Sequence, residues 1–446
     1  MPARLRGAPT GGTVEPEGYG DPVTADSPSS DAAPAARNRL AALRALRNRQ
    51  FRRFYAGSIV AQLGFWISHI SFQDLMSDLT EDELWVALLF TTTFGPVILV
   101  GPIGGSLVDR FDRKRVLLAS YLALACAAGF QLTLVATDIV TPLWLLFSGG
   151  IVGVTMAIMG PTIQTVTANL VDPSDLPSAI SLQAMSANLS RVVGPAIAAP
   201  VIAADLFEVS WGTYLGTALF AMAVAATLTL RPYERDTEEM TLRQRVRSGL
   251  THAQSRPPAV ACLLLVATVS ALVVAHISLM PAFTEDQLGR PKGDFVWMGV
   301  ATGTGALFGA FMAGSFKRAA TLRRGALLAL PYCALLIAFS RTTSFGLAVA
   351  IQIVMGFFYI AAFTTMQVRV QELVDEEFRG RVMSLFQIAW GGIVPIGSLI
   401  MGLMAGEAGL DLGSADTMLI AGIVATVYAV TVAVRAPSRA AILAAA

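Results

Sequence analysis

Charged residues are scarce in this chain: Asp, Glu, Lys and Arg together make up 14% of its 446 residues. Soluble globular proteins carry roughly 25%, so an ordinary soluble fold is excluded. Lysine occurs only as Lys114, Lys292 and Lys317, and none of the three follows a glycine. A phosphate-cradling Walker A loop is therefore missing, and ATP is not the direct energy source. Histidine and cysteine each occur three times. Without an HExxH or CxxC spacing, neither a metal site nor a disulfide framework is expected. Cys126, Cys262 and Cys333 all lie in apolar runs and read as small buried hydrophobes. No GxSxG turn offers a serine nucleophile. The Gly303-Thr304-Gly305 cluster follows no strand and reads as close helix packing rather than a dinucleotide loop. The expectation is a non-enzyme with no cofactor. A net charge of +1 gives no reason to expect a nucleic acid partner.

Apolar length is what the chain has in abundance. Hydrophobic residues make up 54% of it, and its mean hydropathy is +0.61. A helix rising 1.5 Å per residue needs about 20 apolar residues to cross a hydrocarbon core of roughly 30 Å. Twelve such runs lie between residues 54 and 435. The expected fold is an all-α membrane protein with twelve transmembrane helices in two six-helix bundles, 54–231 and 258–436, joined by a charged linker at 232–257. Residues 1–36, rich in Pro, Gly, Ser and Asp with no apolar core, read as a disordered tail rather than a signal peptide. In 37–53, Leu40, Leu43, Phe51 and Phe54 alternate with arginines as a basic amphipathic lead-in. Residues 437–446 form a short tail. If the N-terminus is cytoplasmic, 28 of the 32 Lys and Arg residues fall in cytoplasmic segments, as the positive-inside rule requires. Both termini are then cytoplasmic, in a bacterial-type cell membrane.

The two halves repeat one another. An offset of 203 pairs Gly153 with Gly356, Gln164 with Gln367, Leu170-Val171-Asp172 with Leu373-Val374-Asp375, and Gly194 with Gly397. An offset of 207 superposes His69-Ile70-Ser71 on His276-Ile277-Ser278. Duplicated six-helix halves describe a transporter with a midplane site between them. A single chain supplies both cavity walls, so a monomer suffices.

The stretch Gly105-Ser106-Leu107-Val108-Asp109-Arg110-Phe111-Asp112-Arg113-Lys114 resembles the GxxxDRxGRK signature of the major facilitator superfamily, departing from it at Asp112, where the family has Gly. Asn48-Arg49-Gln50-Phe51-Arg52, Gly101-Pro102-Ile103-Gly104-Gly105, Asp175-Leu176-Pro177 and Gly380-Arg381-Val382-Met383-Ser384-Leu385 resemble the branch that contains the enterobactin and macrolide exporters. The resemblance implies alternating access and proton-driven export of a drug-, antibiotic- or siderophore-like molecule. It further implies a gating motif of Gly105, Asp109, Arg110, Arg113 and Lys114, with Asp109 facing the positive end of span eleven near Phe378 to Arg381. Gly194-Pro195-Ala196-Ile197-Ala198-Ala199 resembles the GPxxGG antiporter motif with both final glycines replaced. Close packing alone also explains it. Branch members often carry an acid after the glycine of span one, but here the text reads Gly64-Phe65-Trp66.

Several residues then compete for functional and structural roles. Arg191 lies well inside span five, where lipid exposure would cost roughly 3 kcal/mol or more. It is either a contact for an anionic substrate group or coupling network, or a structural clamp, and Gln183, Asn188 and Ser190 extend its polar face. His69 and His276, whose imidazoles have an unperturbed pKa near 6.5, are coupling-proton candidates together with Asp74 one turn further out, or neutral, hydrogen-bonded histidines. Asp74 is a proton-site candidate or a solvated rim residue. Gln164 and Gln367, paired by the repeat, are cavity or gate candidates. Trp66, Phe65, Phe357, Phe358 and Tyr359 could line an aromatic wall or simply pack. A lysolipid or dedicated-metabolite transporter is the alternative of the same fold, and a non-transporting receptor would need no gating signature.

Overall fold

The computed structural model describes residues 43–98, 100, 111–230, 242–316, 320–375 and 378–436, with the side chains of 188, 242–246 and 311–316 left aside. The described residues contain helices and turns and no strand. In chain order the α-helices are α1 (Arg49–Leu79), α2 (Glu83–Phe94), α3 (Arg113–Ala136), α4 (Pro142–Leu170), α5 (Leu176–Ala203) and α6 (Phe207–Ala226). After α7 (Leu242–Gln254) come α8 (Pro257–Leu272), α9 (Met280–Asp286), α10 (Val296–Phe316), α11 (Leu322–Ser340), α12 (Phe345–Leu373), α13 (Arg379–Gln387), α14 (Val394–Ala405) and α15 (Gly413–Arg435). Among the described residues eight helical segments are long and apolar enough to cross a membrane, with α8–α9 and α13–α14 each counted as one. Helices α1 and α5 fall outside those eight. Their polar load explains this: Gln62, His69, Gln73 and Asp74 on α1, and Gln183, Asn188 and Arg191 on α5.

Short polar residues start these helices. The Asn48 Oδ1 accepts from the Gln50 and Phe51 amides at 2.9 and 3.1 Å, so α1 begins at Arg49 rather than near residue 54. Of the expected lead-in 37–53, residues 37–42 lie outside the described residues, Arg44–Arg47 form a 3-10 turn and 49–53 open α1. The Asn48 side chain also donates to the Leu170 carbonyl at 2.7 Å, tying α1 to the end of α4. Asp82 caps α2, and Asp112 caps α3 by accepting from the Arg115 amide at 2.8 Å. Asp in place of the family's Gly therefore has a local task, since an N-cap carboxylate satisfies an orphan amide. The linker 232–257 is partly helical through α7.

Prolines break two spans. Pro281 lacks the N–H that would bond the Ile277 carbonyl, and a 3-10 stretch, Val274–Leu279, separates α8 from α9. Pro395 likewise cannot bond Gly391, and a π-turn, Ile388–Gly392, separates α13 from α14. Within the first half α1 packs on α5 and α6, and α3 on α4 and α6; within the second, α10 packs on α12, and α11 on α12 and α15. The halves meet where α5 lies on α10 and α2 on α14.

The repeat is legible in the packing glycines. A Cβ at Gly194 would come 2.4 Å from the Trp66 Cβ, and one at its partner Gly397 would come 2.2 Å from the Ala271 carbonyl oxygen. Gly153 and its partner Gly356 press in the same way on the carbonyls of Thr92 and Thr302, at 2.6 and 2.0 Å. In lipid, where apolar burial between helices gains little, such close approaches supply the packing energy. Gly303 and Gly305 serve this purpose against Val192 and Ile353. Cys262 and Cys333 are buried as expected, whereas Cys126 is exposed on α3. The expectation for Cys126 is corrected: an apolar run on a membrane helix has a lipid-facing side, and hydropathy does not tell it from the buried one.

Candidate functional site

The sequence candidates separate into three neighbourhoods. The first surrounds His69. Phe65 stacks on its ring at 5.6 Å with 6° between planes, Trp66 and Phe94 meet it edge-on at 5.7 and 4.9 Å, and Phe90 closes a fourth side at 5.9 Å. His69 is 2% exposed and its Nδ1 has no hydrogen-bond partner. Gln73, one turn on, is buried with neither amide atom paired, and Asp74 is buried with Oδ1 unpaired. At 4% exposure Asp74 is not a solvated rim residue.

His276 has the opposite environment. Its Nδ1 donates to the Val273 carbonyl at 2.5 Å, which the 3-10 geometry makes reachable. Its Nε2 must then accept, and Gln352 Nε2 donates to it at 3.0 Å. The Thr302 hydroxyl lies 2.9 Å from Gln352 Oε1. The 3-10 stretch after α8 is stitched to α10 and α12 by this chain, and both His276 nitrogens are satisfied. The two histidines that the repeat superposes are thus chemically unlike.

The second neighbourhood is the contact of the two halves at the Asp74 end. Lys292, in the turn ahead of α10, donates from Nζ to the Ser77 carbonyl at 2.7 Å and pairs with Glu285 at 3.3 Å. The Ser77 carbonyl lies in the last turn of α1, where the helix dipole is negative. Beside it, a Cβ at Gly293 would come 2.8 Å from Ile202 Cγ2 and 3.3 Å from Asp74 Oδ1. Deeper in, the Thr91 hydroxyl is 3.0 Å from the Pro395 carbonyl, and Gly392 lies against Ile98. Sequence reading passed over Lys292 as a loop residue outside the spans.

The third lies between α1, α5 and α12. The Arg191 guanidinium sits over the Trp66 ring, 5.6 Å from its centroid. Across from it the Tyr359 hydroxyl, within electrostatic reach of Arg191, accepts from Trp390 Nε1 at 2.7 Å. Phe363 packs on both rings, at 4.8 Å from Tyr359 and 5.8 Å from Trp390. Trp390 belongs to the π-turn, which re-aims it toward Tyr359; the only sequence signal for it was Trp-Gly-Gly shortly before a proline. Of the expected aromatic wall, Trp66 and Tyr359 are brought here, whereas Phe357 packs on Gly309 of α10.

Of the gating motif, Gly105, Asp109 and Arg110 lie outside the described residues. The Lys114 Nζ donates to the Leu228 carbonyl at 2.8 Å, fastening the start of α3 to the end of α6, and Arg113 begins α3 with interactions of its own. Gln164 is exposed on α4 and Gln367 half-buried on α12, and among the described residues neither has a hydrogen-bond partner. The side chain of Asn188 lies outside the described residues. Pro195 follows Gly194 within α5.

A family model described as transmembrane secretion effector, of the major facilitator superfamily, matches residues 40–441. The chain belongs to the major facilitator superfamily. This facilitator is 23% identical over 372 residues to macrolide efflux protein A of Streptococcus pyogenes, covering 81% of this chain and 91% of that one. It is 23% identical over 380 residues to the staphyloferrin A transporter of Staphylococcus aureus, covering 80% and 90%. Its fold is similar to an inward-facing, unoccupied bacterial homologue of the lysosomal transporter Spinster, with a TM-score of 0.67, 16% identity and coverage of 87% and 95%. It is also similar to the nucleoside transporter NupG, with a TM-score of 0.64 at 13% identity, covering 86% and 98%. The facilitator is a multi-pass membrane protein and a membrane transporter, with bacterial relatives named for efflux.

Proposed function

We propose that this facilitator is a proton-coupled exporter of a drug-, antibiotic- or siderophore-like small molecule, working by alternating access across the cell membrane with twelve spans and both termini cytoplasmic. The observation that carries the reading is the Lys292 contact: a cation of one half seated on the negative helix end of the other closes the Asp74 end of the interface. A transporter needs such a contact to be reversible, because its halves must rock apart there in the other half of the cycle. The duplicated packing glycines support rigid halves that move as bodies. Efflux by the macrolide relative supports the direction, and the positive-inside distribution supports the orientation.

The test is accumulation of antibiotics, dyes and siderophores in an efflux-deficient bacterium, with and without a protonophore, beside Asp109→Asn. At least one compound should be depleted from energised wild-type cells, and both the protonophore and Asp109→Asn should abolish that depletion without loss of protein from the membrane. Depletion that persists under the protonophore would remove proton coupling. A panel without any response would move a lysolipid or dedicated-metabolite substrate to the front.

A further inference from the structure

Arg191 is the one cation set deep within α5, and what surrounds it is unusual for an intramembrane charge. A guanidinium stays protonated and presents five N–H donors, and at mid-bilayer it needs a partner. Among the described residues no carboxylate lies within ion-pair distance of Arg191 and no acceptor takes a hydrogen bond from it; the Trp66 face is its contact. Two polar pairs on the neighbouring elements are committed to each other: Gln62 donates to Ser186 at 3.3 Å, and Trp390 to Tyr359. Asp74 is eight residues beyond Trp66 on α1, about 12 Å along the axis.

The direction of the side chain follows from its helix. Ser186 and Gly194 face α1, and Val192 faces Gly303 of α10. At 3.6 residues per turn Arg191 projects from the sector between those two contacts. Tyr359 of the other half is within its electrostatic reach there, and Arg191 is exposed rather than enclosed. Five donors therefore open into the space between the halves, with an indole face on one side and the Tyr359–Phe363–Trp390 cluster on the other.

We propose that Arg191 is the substrate's charge-recognising residue and that the transported class is an oxyanion-bearing molecule, a carboxylate or phosphate on an aromatic or apolar body. The assignment rests on the transport reading above and narrows its substrate. The oxyanion takes the guanidinium's in-plane donors, for which planar two-point geometry suits Arg better than Lys. The flat body lies between Trp66 and the Tyr359 cluster. A cationic guest of the same shape meets an unopposed positive charge and is disfavoured.

Two dyes on the same three-ring scaffold test this: carboxyfluorescein, an anion, and rhodamine 6G, a cation, titrated by fluorescence anisotropy against the full-length protein in an uncharged detergent. Carboxyfluorescein should bind at least tenfold more tightly than rhodamine 6G. Arg191→Gln should weaken it tenfold or more, and Arg191→Lys should retain an intermediate affinity, which separates recognition from a folding defect. Displacement of the dye by lysophosphatidylglycerol would assign the oxyanion to lipid headgroups; failure to displace it would assign a soluble organic acid. Equal or stronger binding of rhodamine 6G, absence of carboxyfluorescein binding, or unchanged affinity in Arg191→Gln would overturn the proposal. Binding that passes these tests without any energised export in cells would sink the exporter reading and leave the anion site standing.

Discussion

At Gly194 a single hydrogen separates two helices that touch backbone to backbone. A Cβ there would meet not only the Trp66 Cβ but also its carbonyl carbon at 3.3 Å, so the strain cannot be relieved by rotating a side chain. Gly194→Val should therefore destabilise the first half by about 1–3 kcal/mol, the range for overpacking a filled site, and tilt Trp66 away from Arg191. A lowered melting temperature in detergent, with weakened ligand binding, is the expected result; unchanged melting would show that α1 and α5 separate freely here. Pro195 adds a second constraint, since it cannot bond the Arg191 carbonyl four residues back. That carbonyl and the guanidinium of the same residue both stand at the point where α5 meets the interface. The antiporter-like text Gly194-Pro195 is thus explained locally by packing, whatever part it has in the transport cycle.

At the scale of elements, the decisive contact is the turn before α10 pressing on the end of α1. A hydrogen bond from an ammonium to a carbonyl contributes roughly 1.5–3 kcal/mol, and 1.4 kcal/mol is tenfold in an equilibrium. Lys292→Met keeps most of the stem and removes the charge. It should open this end of the interface about ten- to a hundredfold more often by that arithmetic, read as faster labelling of a cysteine placed at Gln73 by a membrane-impermeant maleimide in a cysteine-free background. Labelling at the wild-type rate would show that Gly293 and Ile202 hold the contact without the lysine. The sequence could not reveal this contact, because Lys292 and Ser77 are 215 positions apart and the acceptor is a carbonyl that every residue type carries. Helix periods and caps were readable for the opposite reason: they depend on neighbours in sequence, as Asn48 at α1 and Asp112 at α3 illustrate. The breaks in spans seven and eleven were signalled only by Pro281 and Pro395, and hydropathy runs straight through both. Arg191 and its aromatic neighbours were legible as residue types, whereas the pairing of Trp66 with Arg191 and of Tyr359 with Trp390 depended on how the helices pack within each half.

Across the whole molecule the duplication preserves backbone contacts and lets side-chain chemistry diverge. Gly194 and Gly397, and Gly153 and Gly356, repeat the same close approaches, so the two bundles share a scaffold. The histidines superposed by that scaffold have been used differently. His276 has both nitrogens bonded, and removing it would strand the Gln352 amide and the Val273 carbonyl. His69 stands in a box of four aromatic rings with Nδ1 unbonded, next to unpaired atoms of Gln73 and Asp74. A proton placed on His276 would force Gln352 to turn its donor away, breaking the link to Thr302. One placed on His69 would break no hydrogen bond at Nδ1. His69 is sealed in this conformation by rings of α1 and α2, so on the alternating-access reading proposed above its proton must be exchanged in another state of the cycle. Proton linkage should therefore belong to the first half alone. His69→Gln should flatten the dependence of transport on pH while leaving the protein folded. His276→Leu should instead lower stability by about 1–3 kcal/mol, the cost of stranding a buried polar group, with the pH profile of the remaining transport unchanged. A pH profile that shifts in His276→Leu and not in His69→Gln would reverse the assignment and place the coupling step in the second half.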